Sequence, residues 1–596
     1  MKTFLVSLTI AVMILLGAAG VGNGIEENSQ NEEQAVVNAE LPVKEKGVQQ
    51  VPQGKIEDAL TNKMQKMGKS EKARVAIWVK ADGIQPVKRP VPGTEVSQEQ
   101  LEKDFKSQLG PMEDTISAKH KPVKDYLESK KVKILYESSL SPLIFAELSP
   151  AEIKELESMS DVEGLYLGRD YEPMINTSVP TVLAPPVWSS VQNGTKVAVI
   201  ENDGIAFANP YLKDGIYYNS TSPNIGSHAT ACAGIIASTN TTYRGVAYKG
   251  PALLSANSQT FADSNLVAAT DWAVVNGARV LSNSWGNYSG GAINAITRYY
   301  DWVVYNYGVT VVFASGNCGD CSYPWNIVAE PAIAYSVIAV GSFHDRNTGW
   351  MWWDDYMSSF SSYKNPPSPN GDREKPEVAA VGGERTYIDP TGSIMSTTTA
   401  TPWIGSVGWG TSYAAPEVAG EASLLINKTT WLGGWPETVK AVIMASADHN
   451  IEGSSRLSDQ DGAGGINVNE AYNIVTKPTR LAGISLTYSG GAPWYGQNIT
   501  VSQGQKVRVA IAWDSNSTGY GGSDILNADL DLRIQRWTGS SWVTETRAGY
   551  STSYDNSFEI VEFNAPVKGT YRAKVSKFRW DDHARTEYLG YAAYVK

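Results

Sequence analysis

The sequence predicts three folded parts: a small α+β domain, an α/β domain on a parallel sheet, and an all-β sandwich. The parallel sheet is indicated from Lys196 to about Val475, where apolar runs such as VAVI and GVTVVFAS alternate with helical stretches such as SNLVAATDWAVVNGA. From Lys477 onward the helical patterns stop, and segments such as KVRVAIAWD and SFEIVEFNA alternate apolar and polar residues, which is typical of a sandwich. A chain of 596 residues also exceeds what one hydrophobic core organises.

The α+β domain is predicted from the segment that precedes the α/β domain. ARVAIWVKA, VKILYES, LIFAELS and VEGLYL indicate strands, a charged stretch at 98–128 indicates a long helix, and SPAEIKELESM indicates a helix with a capping serine. The expected boundaries are 72–175 for this domain, 176–476 for the α/β domain and 477–596 for the sandwich.

The N-terminal residues indicate export. A lysine near the start, an apolar run and small residues up to Gly20 predict a secretory signal peptide at 1–20, and the run is too short for a membrane anchor. Residues 21–71 are predicted to be a flexible leader. The segment after Asp170 is rich in Pro, Ser and Thr without periodicity, which predicts an exposed, cleavable linker. No membrane span is expected after signal removal.

Charge and cysteine content narrow the class of protein. A formal net charge of -12 argues against a nucleic-acid partner. Cys318 and Cys321, in NCGDC, could close a tight disulfide in an exported protein, and the sequence leaves open whether they do; this Cys-x-x-Cys has no second half for a zinc site. Cys232 is expected to be a small buried hydrophobe.

A histidine is the usual general base of a hydrolase near neutral pH. His228 stands out because GSHATACAGIIAS places it at the start of a helix whose small residues allow close packing on a sheet. For this segment alone, a capping or buried histidine is an equally good interpretation. The other histidines lie in charged or loop-like surroundings: His120, His344, His449 and His583.

A second motif decides between these interpretations. GTSYAAPEVAG places Ser412 at the opening of a helix, where its backbone N–H lies at the positive end of the helix dipole. With KVAVIEN, GSHATACAGIIAS, VLSNSWG and VVFASGN, in this order, the motif resembles the subtilisin-like serine proteases, the subtilases, over about residues 190–475. Five ordered motifs are far more specific than a lone Gly-Thr-Ser.

The resemblance implies hydrolysis of peptide bonds through a Ser/His/acid triad. Ser412 would attack the scissile carbonyl and His228 would take and return its proton. Asn317, in ASGN, and the Ser412 backbone N–H would stabilise the oxyanion. An amide side chain suits that role because it donates hydrogen bonds without titrating.

The triad acid is left open between two residues. The family's strand normally ends in Asp-Ser/Thr-Gly, whereas this one reads VAVIENDGI. An alignment without a gap puts Glu201 at the family's aspartate, while Asp203 keeps the residue type and lies two positions on, on the same strand face. We expect Glu201 to orient the imidazole, with Asp203 as the alternative.

The resemblance also implies how polypeptides bind. Ser284, Trp285 and Gly286, in SNSWGNY, match the family's strand that pairs with the backbone of protein or peptide substrates. Residues 72–170 resemble the family's inhibitor-type propeptide, which would make the chain's own propeptide an intramolecular inhibitor. Cleavage of that propeptide by the enzyme itself is expected within 171–188.

The sandwich resembles the jelly-roll domain that follows the catalytic domain in some subtilases, through NADLDLRIQRW and APVKGTYRAKV. Asp529 and Asp531 share one face of a strand and would be able to bind structural calcium with Asp524 or Asn527, although a solvated acidic face fits equally well. No cofactor is expected to be required for the chemistry.

Two other functions compete with this one. A surface or binding protein could keep an inactive subtilase fold, and the carboxyl-serine peptidases replace the histidine with glutamate and aspartate. His228, Ser412 and Asn317 within their motifs argue against both.

Overall fold

The computed structural model describes residues 54–168, 172–173, 179–190, 194–250, 252–452, 457, 460–515, 517 and 526–596. The predicted signal peptide and most of the predicted leader lie outside them. The last part of that leader is folded, which corrects the prediction: helix α1 (Asp58–Lys66) buries Leu60 in the core of the domain that follows. Its apolar stripe consists of Leu60 and Met64 alone, too narrow to stand out in a polar sequence.

The N-terminal domain, residues 54–168, is an antiparallel sheet with strand order β2-β3-β1-β4 and helices packed on it. Its predicted strands and helices are confirmed, and Ser149 and Glu152 form a reciprocal capping box at the start of α3. The bounds are β1 (Ala73–Val79), α2 (Gln98–Ser129), β2 (Lys133–Glu137), β3 (Leu143–Leu148), α3 (Pro150–Glu157) and β4 (Val162–Leu167), with a short strand, β5 (Glu172–Pro173), after the domain.

The α/β domain contains the predicted parallel sheet, with strand order β13-β12-β11-β9-β6-β8-β7 and β14 beside β12. Its central strands are buried on both faces, which explains their continuous apolar runs. The strands are β6 (Val197–Glu201), β7 (Ile216–Tyr217), β8 (Leu253–Asn257), β9 (Val280–Asn283), β10 (Trp285–Gly286), β11 (Thr310–Ala314), β12 (Ile338–His344), β13 (Tyr356–Met357), β14 (Val378–Val381), β15 (Ile394–Thr397) and β16 (Ile404–Gly408).

Helices cover both faces of this sheet. The helices are α4 (Ser227–Ala237), α5 (Asp263–Val275), α6 (Ala295–Tyr307), α7 (Thr411–Lys428), α8 (Pro436–Ser446) and α9 (Val468–Val475). The apolar core on one face includes α4 and α7, whereas the core on the other face includes α5 and α6. Trp78 and Phe105 of the N-terminal domain join this second core, so that domain packs over α5 and α6.

The segment after Asp170 is not an exposed linker throughout, which corrects the linker prediction made from the sequence. Val182, Ala184 and Val187 are buried in the core that contains α4 and α7. These residues lie in turns and in a short 3-10 helix, and each contributes one side chain to the core. Because they do not belong to a longer helix or strand, the sequence around them shows no periodicity. Any exposed linker must therefore end before Val179.

The sandwich is formed by two antiparallel sheets that share one apolar core. It packs directly on the α/β domain, since an added Cβ at Gly590 would lie 2.2 Å from the backbone of Glu437. Its strands are β17 (Leu481–Leu486), β18 (Trp494–Tyr495), β19 (Ile499–Val501), β20 (Lys506–Ala512), β21 (Ala528–Trp537), β22 (Trp542–Thr544), β23 (Tyr550–Ser551), β24 (Phe558–Asn564), β25 (Gly569–Trp580) and β26 (Glu587–Val595).

Within the part of the chain that the structure describes, every helix is too short or too polar to cross a lipid bilayer. The predicted fold class, an α/β domain followed by a β-rich domain, is confirmed.

Candidate active site

The predicted site residues come together at one edge of the parallel sheet. β6 ends at Glu201, β9 ends one residue before Ser284, and β11 ends three residues before Asn317. Because β6, β9 and β11 run parallel, their carboxyl ends meet at the same edge. Helices α4 and α7, whose first turns contain His228 and Ser412, pack against each other at this edge.

Glu201 is the carboxylate that approaches the ring of His228. Its Oε2 lies 3.1 Å from Nδ1 of His228, and the Glu201 side chain is wholly buried. Burial raises the pKa of Glu201, and the nearby His228 acts in the opposite direction. A buried carboxylate at this position stabilises a positively charged imidazole, because little water screens the pair.

Asp203 takes a different position, at the start of α4. Its Oδ1 accepts a hydrogen bond of 3.3 Å from the backbone N–H of Ala229, and burial raises its pKa. The contact requires a glycine at position 226, since a Cβ there would lie 1.4 Å from the Asp203 carboxylate. Asp203 therefore caps the first turn of α4, while Glu201 faces the ring of His228.

Ser412 is buried at the start of α7, and a proline one turn later explains its surroundings. Pro416 has no N–H, so it cannot donate to the carbonyl of Ser412 as a helical residue normally would. That carbonyl instead accepts hydrogen bonds from Oγ of Ser284 at 2.7 Å and from Sγ of Cys232 at 3.5 Å. In return, Oγ of Ser412 donates to the carbonyl of Ser284 at 3.0 Å.

Two further contacts join α4 to the start of α7. The ring of Tyr413, the residue after Ser412, stacks on His228 with centroids 5.8 Å apart. Cys232, one turn after His228, is fully buried, and burial raises its pKa well above the ordinary value. Cys232 is thus a small buried side chain next to Ser412, as predicted, and holds little of the reactive thiolate.

The side chain of Asn317 is held by the residue that precedes Ser412. Its Oδ1 accepts hydrogen bonds from the backbone N–H of Thr411 at 2.8 Å and from the Thr411 hydroxyl at 2.9 Å. Its backbone N–H donates to the hydroxyl of Tyr288 at 2.6 Å. Because the oxygen end of the amide is occupied, the Nδ2 end is the one that can donate to a substrate.

A short strand already occupies the predicted substrate edge. Trp285 and Gly286 pair antiparallel with Pro173 and Glu172, respectively, of β5. The Trp285 indole itself is fully buried and donates to the carbonyl of Ile200 at 3.0 Å, so it packs in the core rather than in a substrate pocket. The edge binds an extended segment through main-chain groups.

Cys318 and Cys321 form a disulfide directly after Asn317, which answers the question that the sequence left open. Asp320, between them, forms an ion pair with Arg385 with 2.5 Å between Oδ2 and Nη1. The loop that follows Asn317 is therefore constrained both covalently and electrostatically.

The predicted calcium ligands do not form an oxygen cage among the described residues. Asp529 and Asp531 are both buried on β21, and Oδ2 of Asp531 lies 3.9 Å from Nη2 of Arg533. The amide of Asn527 is engaged by Glu587 and by the backbone N–H of residue 582. Asp524 lies outside the described residues.

Sequence reasoning missed several functional contacts. Thr411 and Tyr288 form hydrogen bonds with Asn317, and Pro416 leaves the Ser412 carbonyl without its usual helical donor. Of these contacts, only the one that involves Pro416 could have been found from the sequence, because a proline within a helical pattern is conspicuous. His344 and His449 lie in charged surroundings, as predicted, but both are buried: Nε2 of His344 lies 3.5 Å from Oδ2 of Asp389, and Nε2 of His449 lies 2.7 Å from Oδ2 of Asp355.

Comparisons with known proteins agree with this geometry. A family model described as the Subtilase family matches residues 192–464. Serine protease AprX of Bacillus subtilis (strain 168) is 28% identical over 364 residues, which are 54% of this chain and 77% of AprX. Subtilisin NAT of Bacillus subtilis subsp. natto is 30% identical over 329 residues, which are 52% of this chain and 77% of that protein.

The chain belongs to the subtilase family. Thermitase of Thermoactinomyces vulgaris is a further relative, 28% identical over 297 residues, which are 48% of this chain and 90% of thermitase. The predicted family and the predicted enzyme class, a serine endopeptidase, are therefore confirmed. The match to the family covers the α/β domain of this subtilase, between the N-terminal domain and the sandwich.

Proposed function

We propose that this subtilase is a secreted endopeptidase, made as a precursor, in which Ser412 is the nucleophile, His228 the general base and Glu201 the triad acid. The observation that carries the proposal is the 3.1 Å approach of the buried Glu201 carboxylate to Nδ1 of His228. That approach leaves the opposite ring nitrogen, Nε2, for the proton of the nucleophile. Asp203, bonded to the N–H of Ala229, supports the first turn of α4 instead.

The proposed reaction begins when the Ser412 hydroxyl leaves the carbonyl of Ser284 and turns toward His228. Nε2 of His228 takes the hydroxyl proton as Oγ attacks the scissile carbonyl, and Glu201 stabilises the imidazolium. The oxyanion of the tetrahedral intermediate accepts from Nδ2 of Asn317 and from the backbone N–H of Ser412. His228 then protonates the leaving amine, and water hydrolyses the acyl-enzyme by the same steps in reverse order.

The N-terminal domain is proposed to be the propeptide. It covers α5 and α6, and Nη2 of Arg298 lies 2.6 Å from Oε1 of Glu163 in that domain. The indole of Trp302 also donates to the carbonyl of Leu140 at 2.8 Å. The chain that leaves this domain pairs through β5 with the substrate edge, as a bound inhibitor would.

The register of β5 supports one cleavage position. Glu172 and Pro173 stand opposite Gly286 and Trp285 in an antiparallel ladder, and Ser284 is the next residue along that substrate edge. The carbonyl of Ser284 accepts the hydroxyl of Ser412. We therefore propose self-cleavage after Met174, which releases a mature chain that begins at Ile175.

Calcium binding at Asp529 and Asp531 stays a prediction. The proposal that the protein is secreted rests on the sequence of residues 1–20. Secretion is tested by expression of the full chain with and without residues 1–20. The processed enzyme is expected in the medium only when they are present, and equal amounts outside the cell for both forms would contradict export through this signal.

Labelling with a fluorophosphonate tests the enzyme directly, because the probe reacts with an activated serine. The full chain, expressed without its signal, is expected to bind the probe covalently and to hydrolyse casein, whereas Ser412→Ala does neither. Labelling of the parent distinguishes an enzyme from an inactive scaffold of the same fold. Casein hydrolysis by Ser412→Ala at the parental rate would refute the proposal.

A further inference from the structure

An arginine of the N-terminal domain is buried between the other two domains. Arg89 lies in the segment between β1 and α2, and only 3% of its side chain is exposed. It contacts Glu437 at the start of α8 and Asp514, two residues after β20 of the sandwich. Burial opposes its charge, but Glu437 and Asp514 raise the pKa of Arg89 above its ordinary value, so the guanidinium stays charged.

The polar part of this site surrounds the edge of the guanidinium. Nη1 donates to Oε2 of Glu437, Nη2 donates to the backbone carbonyl of Tyr305 at 3.1 Å, and Nη2 lies 3.6 Å from Oδ2 of Asp514. A planar group with five N–H donors satisfies several acceptors at once, whereas an ammonium group does not match this spread.

The aromatic part covers the face of the guanidinium. The Arg89 guanidinium carbon lies 3.6 Å from the centroid of the Tyr588 ring and 5.3 Å from that of Trp435. The Trp435 indole in turn donates to the carbonyl of Pro90 at 2.8 Å. Two acids near the guanidinium nitrogens and two aromatic rings near the guanidinium carbon are the features that select an arginine side chain.

Among the residues that the structure describes, Arg89 is the cation whose guanidinium nitrogens pair with both acids of this site, whereas Arg585 is near enough to interact electrostatically with Asp514. Arg585, the nearby cation on the sandwich, is engaged by Glu587 at 3.0 Å and lies over the ring of Tyr305. The Asp514 side chain is 0% exposed, and Glu437 is nearly as buried. Burial, and then the neighbouring Glu437, raise the pKa of Asp514 well above its ordinary value. Removal of Arg89 therefore leaves two buried acids that require a cation or a proton.

We propose that Tyr305, Trp435, Glu437, Asp514 and Tyr588 form a guanidinium-binding site, the Arg89 site, which takes an arginine side chain of a polypeptide substrate once the propeptide has left. The proposal rests on the proposed function for the departure of the propeptide. After Ser412, α7 continues to Lys428, which is about 24 Å along a helix, before the chain reaches α8. The Arg89 site is thus an exosite, distant from the scissile bond, that favours extended protein substrates carrying arginine.

Chemical rescue tests the site without any need for catalysis. In a full chain with Ser412→Ala, Arg89→Ala is expected to lower the Tm by about 5 °C. Millimolar n-propylguanidine is expected to recover more than half of that loss, because it replaces the deleted group, whereas n-propylamine does not. Equal recovery with both compounds, or with neither, would overturn the proposal.

A matched control and a second variant keep the test decisive. The control is Arg74, also in the N-terminal domain, whose Nε lies 3.3 Å from Oδ1 of Asp263. Because 24% of the Arg74 side chain is exposed, Arg74→Ala leaves a position open to solvent, and n-propylguanidine is not expected to recover the Tm of this variant. If Arg89→Ala does not fold, Arg89→Ser, which also leaves the guanidinium position empty, replaces it in the same assay, with the same expected selectivity for guanidinium. Rescue of Arg74→Ala to the same extent would mean general stabilisation and would refute a specific site.

The processed parental enzyme tests the exosite itself. N-propylguanidine is expected to raise KM for casein several-fold while leaving KM and kcat unchanged for a short chromogenic peptide without arginine. The double variant Glu437→Gln, Asp514→Asn is expected to lose this competition. Failure to cleave the short peptide would refute the proposed function, whereas cleavage of that peptide with no effect on casein would refute only the exosite.

Discussion

The side-chain oxygen of Asn317 accepts two hydrogen bonds from Thr411, one from its N–H at 2.8 Å and one from its hydroxyl at 2.9 Å. Thr411 precedes Ser412, so the start of α7 orients the amide proposed to bind the oxyanion. Catalysis depends on such donors being held in place before the reaction.

Asn317→Ala is expected to lower kcat by about 100- to 1,000-fold with little change in KM, because the amide acts mainly on the transition state. Thr411→Val keeps the N–H but removes the hydroxyl, and a smaller loss of about tenfold is expected from the looser amide. Steady-state kinetics on a short chromogenic peptide measure both. A Thr411→Val enzyme as impaired as Asn317→Ala would argue for a direct role of the threonine.

Glu201→Gln is expected to lower kcat by about 1,000- to 10,000-fold, because the neutral amide no longer stabilises a charged His228. Asp203→Asn, the matched control, is expected to cost less than about tenfold, since its carboxylate bonds to the N–H of Ala229. The same kinetic assay compares the two variants, with circular dichroism to check folding. The reverse order of effects would make Asp203 the triad acid.

Incubation of the purified precursor is expected to produce a mature chain whose first residue is Ile175. N-terminal sequencing and intact mass measure the new terminus, and the precursor with Ser412→Ala is expected to remain uncut. A terminus at another bond would mean that β5 shifts its register along Trp285 and Gly286 before cleavage.

Asp271 is expected to make the precursor less stable as the pH rises. Its carboxylate, buried on α5, accepts from the hydroxyls of Tyr136 and Ser138 of the N-terminal domain at 2.5 and 2.6 Å, and from Tyr299 at 2.6 Å. Burial raises the pKa of Asp271 to about 6 from 3.8. The folded precursor thus holds this proton more tightly than the unfolded chain, so the stabilisation is complete below 3.8 and is lost as the pH rises through 6.

Asp271→Asn is expected to flatten this pH dependence, which amounts to about 3 kcal/mol for a shift of roughly two pKa units. Denaturant unfolding of the Ser412→Ala precursor between pH 4 and 7 measures it. Asp125→Asn, on the exposed surface of α2, serves as the control and should retain the parental slope. An unchanged slope in Asp271→Asn would show that other groups control the response.

Much of the catalytic domain was predictable because its signals are local. Apolar runs and helical stretches alternate along the chain, and the motifs around His228, Asn317 and Ser412 each stand at the end of a strand or the start of a helix. The sequence also showed that Cys318 and Cys321 could pair, since only two residues separate them, but the structure was needed to show that they do. In these cases the relevant contacts are made within a few residues.

The boundaries of the N-terminal parts were less predictable. The leader prediction missed α1, whose apolar face consists of Leu60 and Met64, and the linker prediction missed the burial of Val182 and Val187. Both segments contribute single side chains to cores that are built mainly by distant elements. A pattern of that kind has no period that a sequence can reveal.

The sequence by itself determined the order of the domains and the candidate nucleophile and base. It also narrowed the candidates for the triad acid to two residues. Only the tertiary structure decided which carboxylate faces His228, because Glu201 and Asp203 share one strand face and differ in what packs around them. It alone also brought Arg89 to Asp514, 425 positions away in the chain. Contacts between distant segments depend on the packing of whole domains, which local sequence patterns do not encode.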